Sequence, residues 1–177
     1  VDNVVFGENP PLGHTVLMAF KTTSDRGNLF TTYDSGGYDG VSAVSVAFAN
    51  GSLGVGGRYT SGGHVGWGVQ QDAELTLNDG QWHTAAVVMD QANGIARFYI
   101  DGVLQGTDVM STTADYTDGG RIRIGATRFQ GIVPHEPFTG SLSEFEVRAS
   151  VLSDSDIVVW SEGIVPSSDL VEVIRYD

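Results

Sequence analysis

Apolar and polar positions alternate in short runs along most of this chain. Val16, Met18 and Phe20 share one parity, as do Ile122 and Ile124, and Phe145 and Val147. A period of two is the mark of a strand with one buried face. Asx-Gly pairs punctuate the runs. Asn50-Gly51 separates Val44–Phe48 from Leu53–Val55, Asn93-Gly94 separates Ala85–Met89 from Arg97–Ile100, and Asp101-Gly102 leads into Val103-Leu104. Such pairs accept the positive φ angles of a two-residue turn whose twist matches the strands, so each predicts a hairpin. Helix signals are nearly absent. Ser153 and Asp156 have capping-box spacing and predict one turn of helix. Pro166–Asp169 reads as a loop and Leu170–Tyr176 as a final strand. The pattern predicts an all-β, two-sheet antiparallel sandwich of jelly-roll type with one short helical turn near the C-terminus.

The chain has 177 residues, enough for one large core and short for two. It is therefore read as a single domain over residues 1–177, with no internal repeat or linker. Twenty-four glycines beside five prolines fit many tight turns. The formal charge is -13, from 22 acidic and 9 basic residues, and Lys21 is the only lysine. That field repels nucleic acid and anionic membranes, so neither is expected as a partner. An anionic ligand would need a local group of arginines. With no cysteine, disulfides, thiol catalysis and thiolate metal sites are excluded. No apolar stretch approaches the roughly 20 residues of a membrane-spanning helix. The chain begins at Val1 without a signal peptide and is read as a module tethered to other domains of a longer, secreted or cell-surface protein.

Glycan cleavage on this architecture needs paired carboxylates. Glu144 and Glu146, two apart on an expected strand, would share one face, but Ser143–Arg148 offers no third acid in register. Strand glutamates on a solvent face are the common case, so no catalytic residue is expected.

Asp79-Gly80-Gln81-Trp82-His83, the apolar strand to Met89, and then Phe98-Tyr99-Ile100-Asp101-Gly102 together resemble the laminin G-like, concanavalin-like jelly rolls. Phe138–Val147 followed by Val151–Ile157 resembles the closing strand of those domains. The likeness runs from about His14 to Ile157 and implies glycan or cell-surface binding more often than chemistry. A narrower resemblance is to the sialic-acid-binding modules attached to bacterial sialidases (carbohydrate-binding module family forty). It is carried by Leu12–Lys21, Asn28–Phe30, Leu53–Arg58, Gly80–Thr84 and Ile124–Arg128. This second likeness implies that Arg58 and Arg128 meet a sialate carboxylate. The chain departs from it at Phe129, where the family has a second basic residue, and at Gly56, where it often has an acid.

The residues themselves allow this. If Leu53 and Val55 face the core, Arg58 projects outward beyond Gly54 and Gly56, which would leave an open floor beside a guanidinium. Arginine suits carboxylate because its planar fork donates two parallel hydrogen bonds. The other reading of Arg58 and Arg128 is pairing with surface acids. Arg121 and Arg123 also alternate away from the core, either to extend a basic stripe or to pair with Asp115 and Asp118. Tyr59, Trp67 and Phe129 stand near the arginines, where an aromatic can stack on a sugar or anchor a loop. Trp82 is expected in the core between the sheets. Asp34 and Asp39, with Asp115 and Asp118, could supply oxygen ligands to a structural calcium at one rim, or simply form Asx turns.

The reading is a non-catalytic glycan-binding module for terminal sialic acid or another acidic sugar, with Arg58, Arg128, Tyr59 and Trp67 as ligand-binding residues. Its rivals are a calcium-dependent adhesion domain of a bacterial surface protein and, more distantly, a glycan hydrolase or lyase.

Overall fold

The computed structural model describes residues 13–33, 43–60, 64–112, 121–125, 128–130, 133–135 and 137–164. Its organising strands are the two longest apolar runs, β1 (Gly13–Lys21) and β6 (Trp82–Asp90), paired antiparallel from Gly13↔Asp90 to Lys21↔Trp82. Both are buried on both faces through most of their length. Val16, Met18, Phe20, Ala85, Val87 and Met89 point into the main core, while Leu17, Ala86 and Val88 point the other way into a second, smaller cluster. A run without polar alternation is what a strand covered on both sides requires.

Around this pair grows a five-stranded sheet in the order β12-β1-β6-β7-β8, with β7 (Ile95–Ile100), β8 (Val103–Val109) and β12 (Ser141–Arg148). The facing sheet has the order β5-β4-β3-β2-β9: β2 (Gly27–Tyr33), β3 (Ala43–Ala49), β4 (Ser52–Thr60), β5 (His64–Gln70) and β9 (Arg121–Ile124). A short ribbon pairs β10 (Arg128–Gln130) with β11 (Val133–His135). Val44, Val46, Phe48, Leu53, Val55 and Val69 from the second sheet meet the first sheet's inner face. There Phe20 and Phe48 contact edge to face at 5.7 Å, a favoured aromatic geometry. The two-sheet antiparallel sandwich is as the alternation predicts.

The turns follow the sequence at two of three places. Asn50 (φ 53°) and Gly51 (φ 80°) join β3 to β4, and Asp101 (φ 49°) and Gly102 (φ 77°) join β7 to β8, both in the left-handed region that a twist-matched two-residue turn demands. At Asn93-Gly94 only Gly94 (φ 68°) has positive φ. The connection is a four-residue loop, in which Asp90 accepts hydrogen bonds from the Asn93 backbone and side-chain amides at 3.2 and 2.8 Å.

Three local expectations change. First, the helix is ten residues, α1 (Asp154–Gly163), rather than one turn. The Ser153/Asp156 capping box forms as expected, but a lone helix this short is marginal in water. Docking extends it: Ile157 is fully buried against the outer cluster with Leu152 and Trp160. Tyr99 donates to Asp154 at 2.7 Å, and Arg97 reaches both Asp154 and the Leu152 carbonyl. Burial, with the Asp154 contact, pushes the Tyr99 phenol up to about 12. Second, Trp82 is not between the sheets. Its parity is that of Thr84 and Ala86, so it stands half-buried on the outer face beside α1. Third, β12 carries a bulge against β1: the three residues Leu17 to Ala19 on β1 face the four from Glu146 to Ser143 on β12, with Glu144 at φ 50°. The extra residue resets the alternation, so Leu142 and Phe145, three apart, both pack on the core. Glu144 and Glu146 therefore do not share a regular strand face. The expected strand Leu170–Tyr176 lies outside the described residues.

Ile157 tests the docking of α1. Ile157→Ala should destabilise the domain by about 2–5 kcal/mol in urea unfolding, as deletions of buried side chains do. Val159→Ala, at a site 69% exposed, should change it by no more than about 0.5 kcal/mol. Equal small losses at both would mean the helix is not docked.

Candidate functional site

The second sheet's outer face is where small side chains accumulate. Ser45 and Ala47 of β3, Gly54 and Gly56 of β4, and Gly68 of β5 have the parity opposite to Val46, Leu53, Val55 and Val69, which fill the core. Register sets them in rows across the sheet: Gly68↔Gly56↔Ser45↔Thr31, and Gln70↔Gly54↔Ala47↔Asn28. The result is a low floor with hydroxyls at one side. Ser45 and Thr31 donate to the Asn28 amide oxygen at 3.2 and 3.4 Å, and Asn28 and Thr31 are nearly inaccessible. This polar trio went unnoticed in the sequence, although Ser45 alternating with Val44 and Val46 was its signal. The floor is less open than two glycines suggest. A side chain at Gly54 would run into the Gln70 amide, which lies across it.

Arg58, Tyr59 and Trp67 share one ladder on this sheet. Arg58 lies opposite Gly66 on one side and Ala43 on the other, Tyr59 opposite Val65, and Trp67 opposite Gly57. Arg128 opens the β10–β11 ribbon opposite His135, in the segment following β9. β9 is the far edge of the sheet from β5, with Arg123 opposite Thr31 and Arg121 opposite Tyr33. The side chains of these arginines, Tyr59 and Trp67 lie outside the described residues, as do Asp34, Asp39, Asp115 and Asp118 entirely. Among the described residues no group of three or more His, Asp or Glu side chains converges as a metal site.

The glutamates are committed elsewhere. Arg148 grips Glu146 through Nε at 2.7 Å and Nη2 at 3.0 Å, and this hydrogen bonding holds the Glu146 carboxyl below its ordinary range. Glu144 sits on the bulge.

The Asp-Gly-x-Trp-His segment has a structural task. His83 Nδ1 is 2.8 Å from Asp101 Oδ2, and Nε2 is 3.3 Å from Asp79 Oδ1. The other Asp101 oxygen accepts the Thr84 backbone N–H at 2.8 Å. With a carboxylate at each ring nitrogen, both positions favour a proton. The hydrogen bond to Asp101, then the charges of Asp101 and Asp79, hold the His83 pKa above its ordinary value against the opposing effect of burial. The turn before β6 is thereby tied to the β7–β8 hairpin.

Comparison with known proteins places this architecture. The profile of the concanavalin A-like lectin/glucanases superfamily (Laminin_G_3) matches residues 9–158. Over 86 residues the chain is 31% identical to the Rattus norvegicus sushi, von Willebrand factor type A, EGF and pentraxin domain-containing protein 1. That stretch is 46% of this chain but only 2% of the relative. Among solved structures, the Ruminococcus gnavus IT-sialidase CBM40 bound to α2,3-sialyllactose superposes with a TM-score of 0.69 at 22% identity, covering 84% of this chain and 82% of that one. A heptameric SAP-like pentraxin from Limulus polyphemus gives a TM-score of 0.61 at 21% identity, over 90% and 80% of the two chains. At these identities the likeness to the solved structures is one of fold.

The raised His83 pKa fixes a sign for pH dependence. The folded state holds its proton more tightly than the unfolded chain, so this contribution is complete below pH about 6.5 and is lost as pH rises through the elevated folded value. His14, whose pKa burial lowers, acts in the opposite sense and only below that point. Urea unfolding across neutral to mildly alkaline pH should show stability falling, and His83→Gln should flatten that slope. A slope unchanged in His83→Gln would show that the clamp does not carry the proton.

Proposed function

Since the chain belongs to the concanavalin A-like lectin/glucanases superfamily, we propose that it is a non-catalytic glycan-binding module of a longer secreted or cell-surface protein, recognising terminal sialic acid or another acidic sugar. A fold of this kind hosts many tasks, so the reading rests on the site. The observation that carries it is the low floor of Ser45, Ala47, Gly56 and Gly68 on the outer face of the sheet, with Arg58 at the parity of Gly54 and Gly56 farther along β4. Small side chains let a sugar ring approach the backbone, and Arg58 supplies a fork for a carboxylate. In a chain of net charge -13, a local arginine is the element that makes an acidic ligand tolerable. Arg128 is assigned to the same carboxylate. The engagement of Glu146 by Arg148 supports a module without hydrolytic activity.

Calorimetry with sialyllactose, and lactose as control, tests the ligand. The native domain should bind sialyllactose alone. Arg58→Ala should lose about 1.5–3 kcal/mol, the usual loss for one charged hydrogen-bonding partner, or roughly tenfold to a hundredfold in affinity. Arg58→Lys should recover part of it. Native protein that ignores sialyllactose removes the sialic-acid reading; equal binding by Arg58→Ala removes the site.

A further inference from the structure

Below the C-terminal half of α1, on the outer face of the β12-β1-β6-β7-β8 sheet, lies a pocket of about 240 Å³. It exists because Ala19 and Thr84 are small and stand opposite each other on β1 and β6, two pairs along from Trp82 and on the same face. Trp82 and Asp101 flank it, and Ser161 and Glu162 of α1 overhang it. This is the far side of the molecule from the floor described above.

Most of its polar groups are already engaged. Ser161 and Thr84 share a hydroxyl hydrogen bond of 2.5 Å. Asp101 spends one oxygen on the Thr84 N–H and the other on His83, whose second nitrogen faces Asp79. Two groups stay uncommitted: among the described residues neither the Trp82 indole N–H nor the Glu162 carboxylate has a hydrogen-bond partner. What remains for a ligand is an aromatic surface, one donor and one anionic acceptor.

That combination selects by chemistry. An anion would face Glu162 and Asp101 with no free cation on the lining, since both His83 nitrogens are occupied. A cation would use the carboxylate but leave the indole donor without an acceptor. A neutral polyhydroxylated ring satisfies both, because each hydroxyl can donate and accept, and its C–H face suits an indole. The volume agrees: it falls below the ~300 Å³ at which pockets for drug-sized ligands begin, leaving room for one ring.

We propose that this pocket is a second sugar site, taking a single neutral pyranose with hydroxyls that donate to Glu162 and accept from the Trp82 indole N–H. It does not rest on the acidic-sugar reading. Because the outer faces of two sheets packed about 10 Å apart lie on opposite sides of the domain, this site and one on the Ser45–Gly68 floor cannot share one terminal sugar.

The test uses the ¹⁵N-labelled 177-residue chain, whose three indole resonances are assigned with Trp82→Phe. Methyl glycosides of glucose, galactose and mannose are titrated separately, with tetramethylammonium chloride as the cationic probe. None carries a carboxylate, so the outcome is independent of any acidic-sugar site. At least one glycoside should shift the Trp82 indole resonance saturably. Glu162→Ala, at an exposed helical position, should keep the backbone spectrum and weaken that response by about tenfold, a loss of roughly 1.4 kcal/mol. The proposal is overturned by no shift with any glycoside, by a shift that persists in Glu162→Ala, or by a saturable response to tetramethylammonium.

Discussion

The structure depends on one constraint: β1 and β6 are apolar on both faces and must be covered twice. Facing inward, they meet the second sheet through Phe20, Met18, Val87 and Met89. Facing outward, Leu17, Ala86 and Val88 need a lid, and α1 supplies it through Ile157 and Trp160. A fully buried aliphatic side chain is worth about 1.5–3 kcal/mol over an exposed one, so an uncovered second face would leave several such terms unrealised. The helix at the end of the chain is thus a structural necessity of strands near its beginning. The clamp of Arg97 and Tyr99 on Asp154 fixes its approach.

That cover decides where a ligand can bind. On the β12-β1-β6-β7-β8 sheet α1 covers the outer face at Leu17, Ala86 and Val88, beside a small hollow where Ala19 and Thr84 recede. On the β5-β4-β3-β2-β9 sheet the outer face carries serine, alanine and glycine, which cover nothing and are instead suited to being covered. The same two-residue period therefore produces a core on one side and a shallow platform on the other.

The open margins are closed by polar contacts. Gly68 N–H donates to Asp108 at 2.8 Å and Asp72 N–H to Gln105 at 2.9 Å, linking edge strand β5 and the segment after it to edge strand β8. Val69 comes so close to Gly106 that an added side-chain carbon would sit 2.9 Å from it. Carboxylates placed along an edge also discourage pairing with another chain. Part of the chain's acidity has these local tasks, as do Asp79 and Asp101 around His83.

The sequence by itself determined strands β1, β3, β4, β6, β7, β8, β9 and β12, the two-residue turns at Asn50-Gly51 and Asp101-Gly102, and the capping box at Ser153, because each depends on residues close in the chain. The Asp-Gly-x-Trp-His and Phe-x-x-Asp-Gly segments were legible as a fold signature. Tertiary structure alone decided the rest. Trp82 and His83 are adjacent, so one of them must face outward, and only the register of β6 with β1 says which. Glu144 and Glu146 read as a pair on one face, but a bulge in the pairing of β12 with β1 breaks their alternation. A ten-residue helix grew from a one-turn signal because Ile157 found a buried seat on β1, β6 and β7, all distant in the chain. The floor, the polar trio beneath it and the hollow under α1 each join residues from several strands, and no local pattern records which strands will be neighbours.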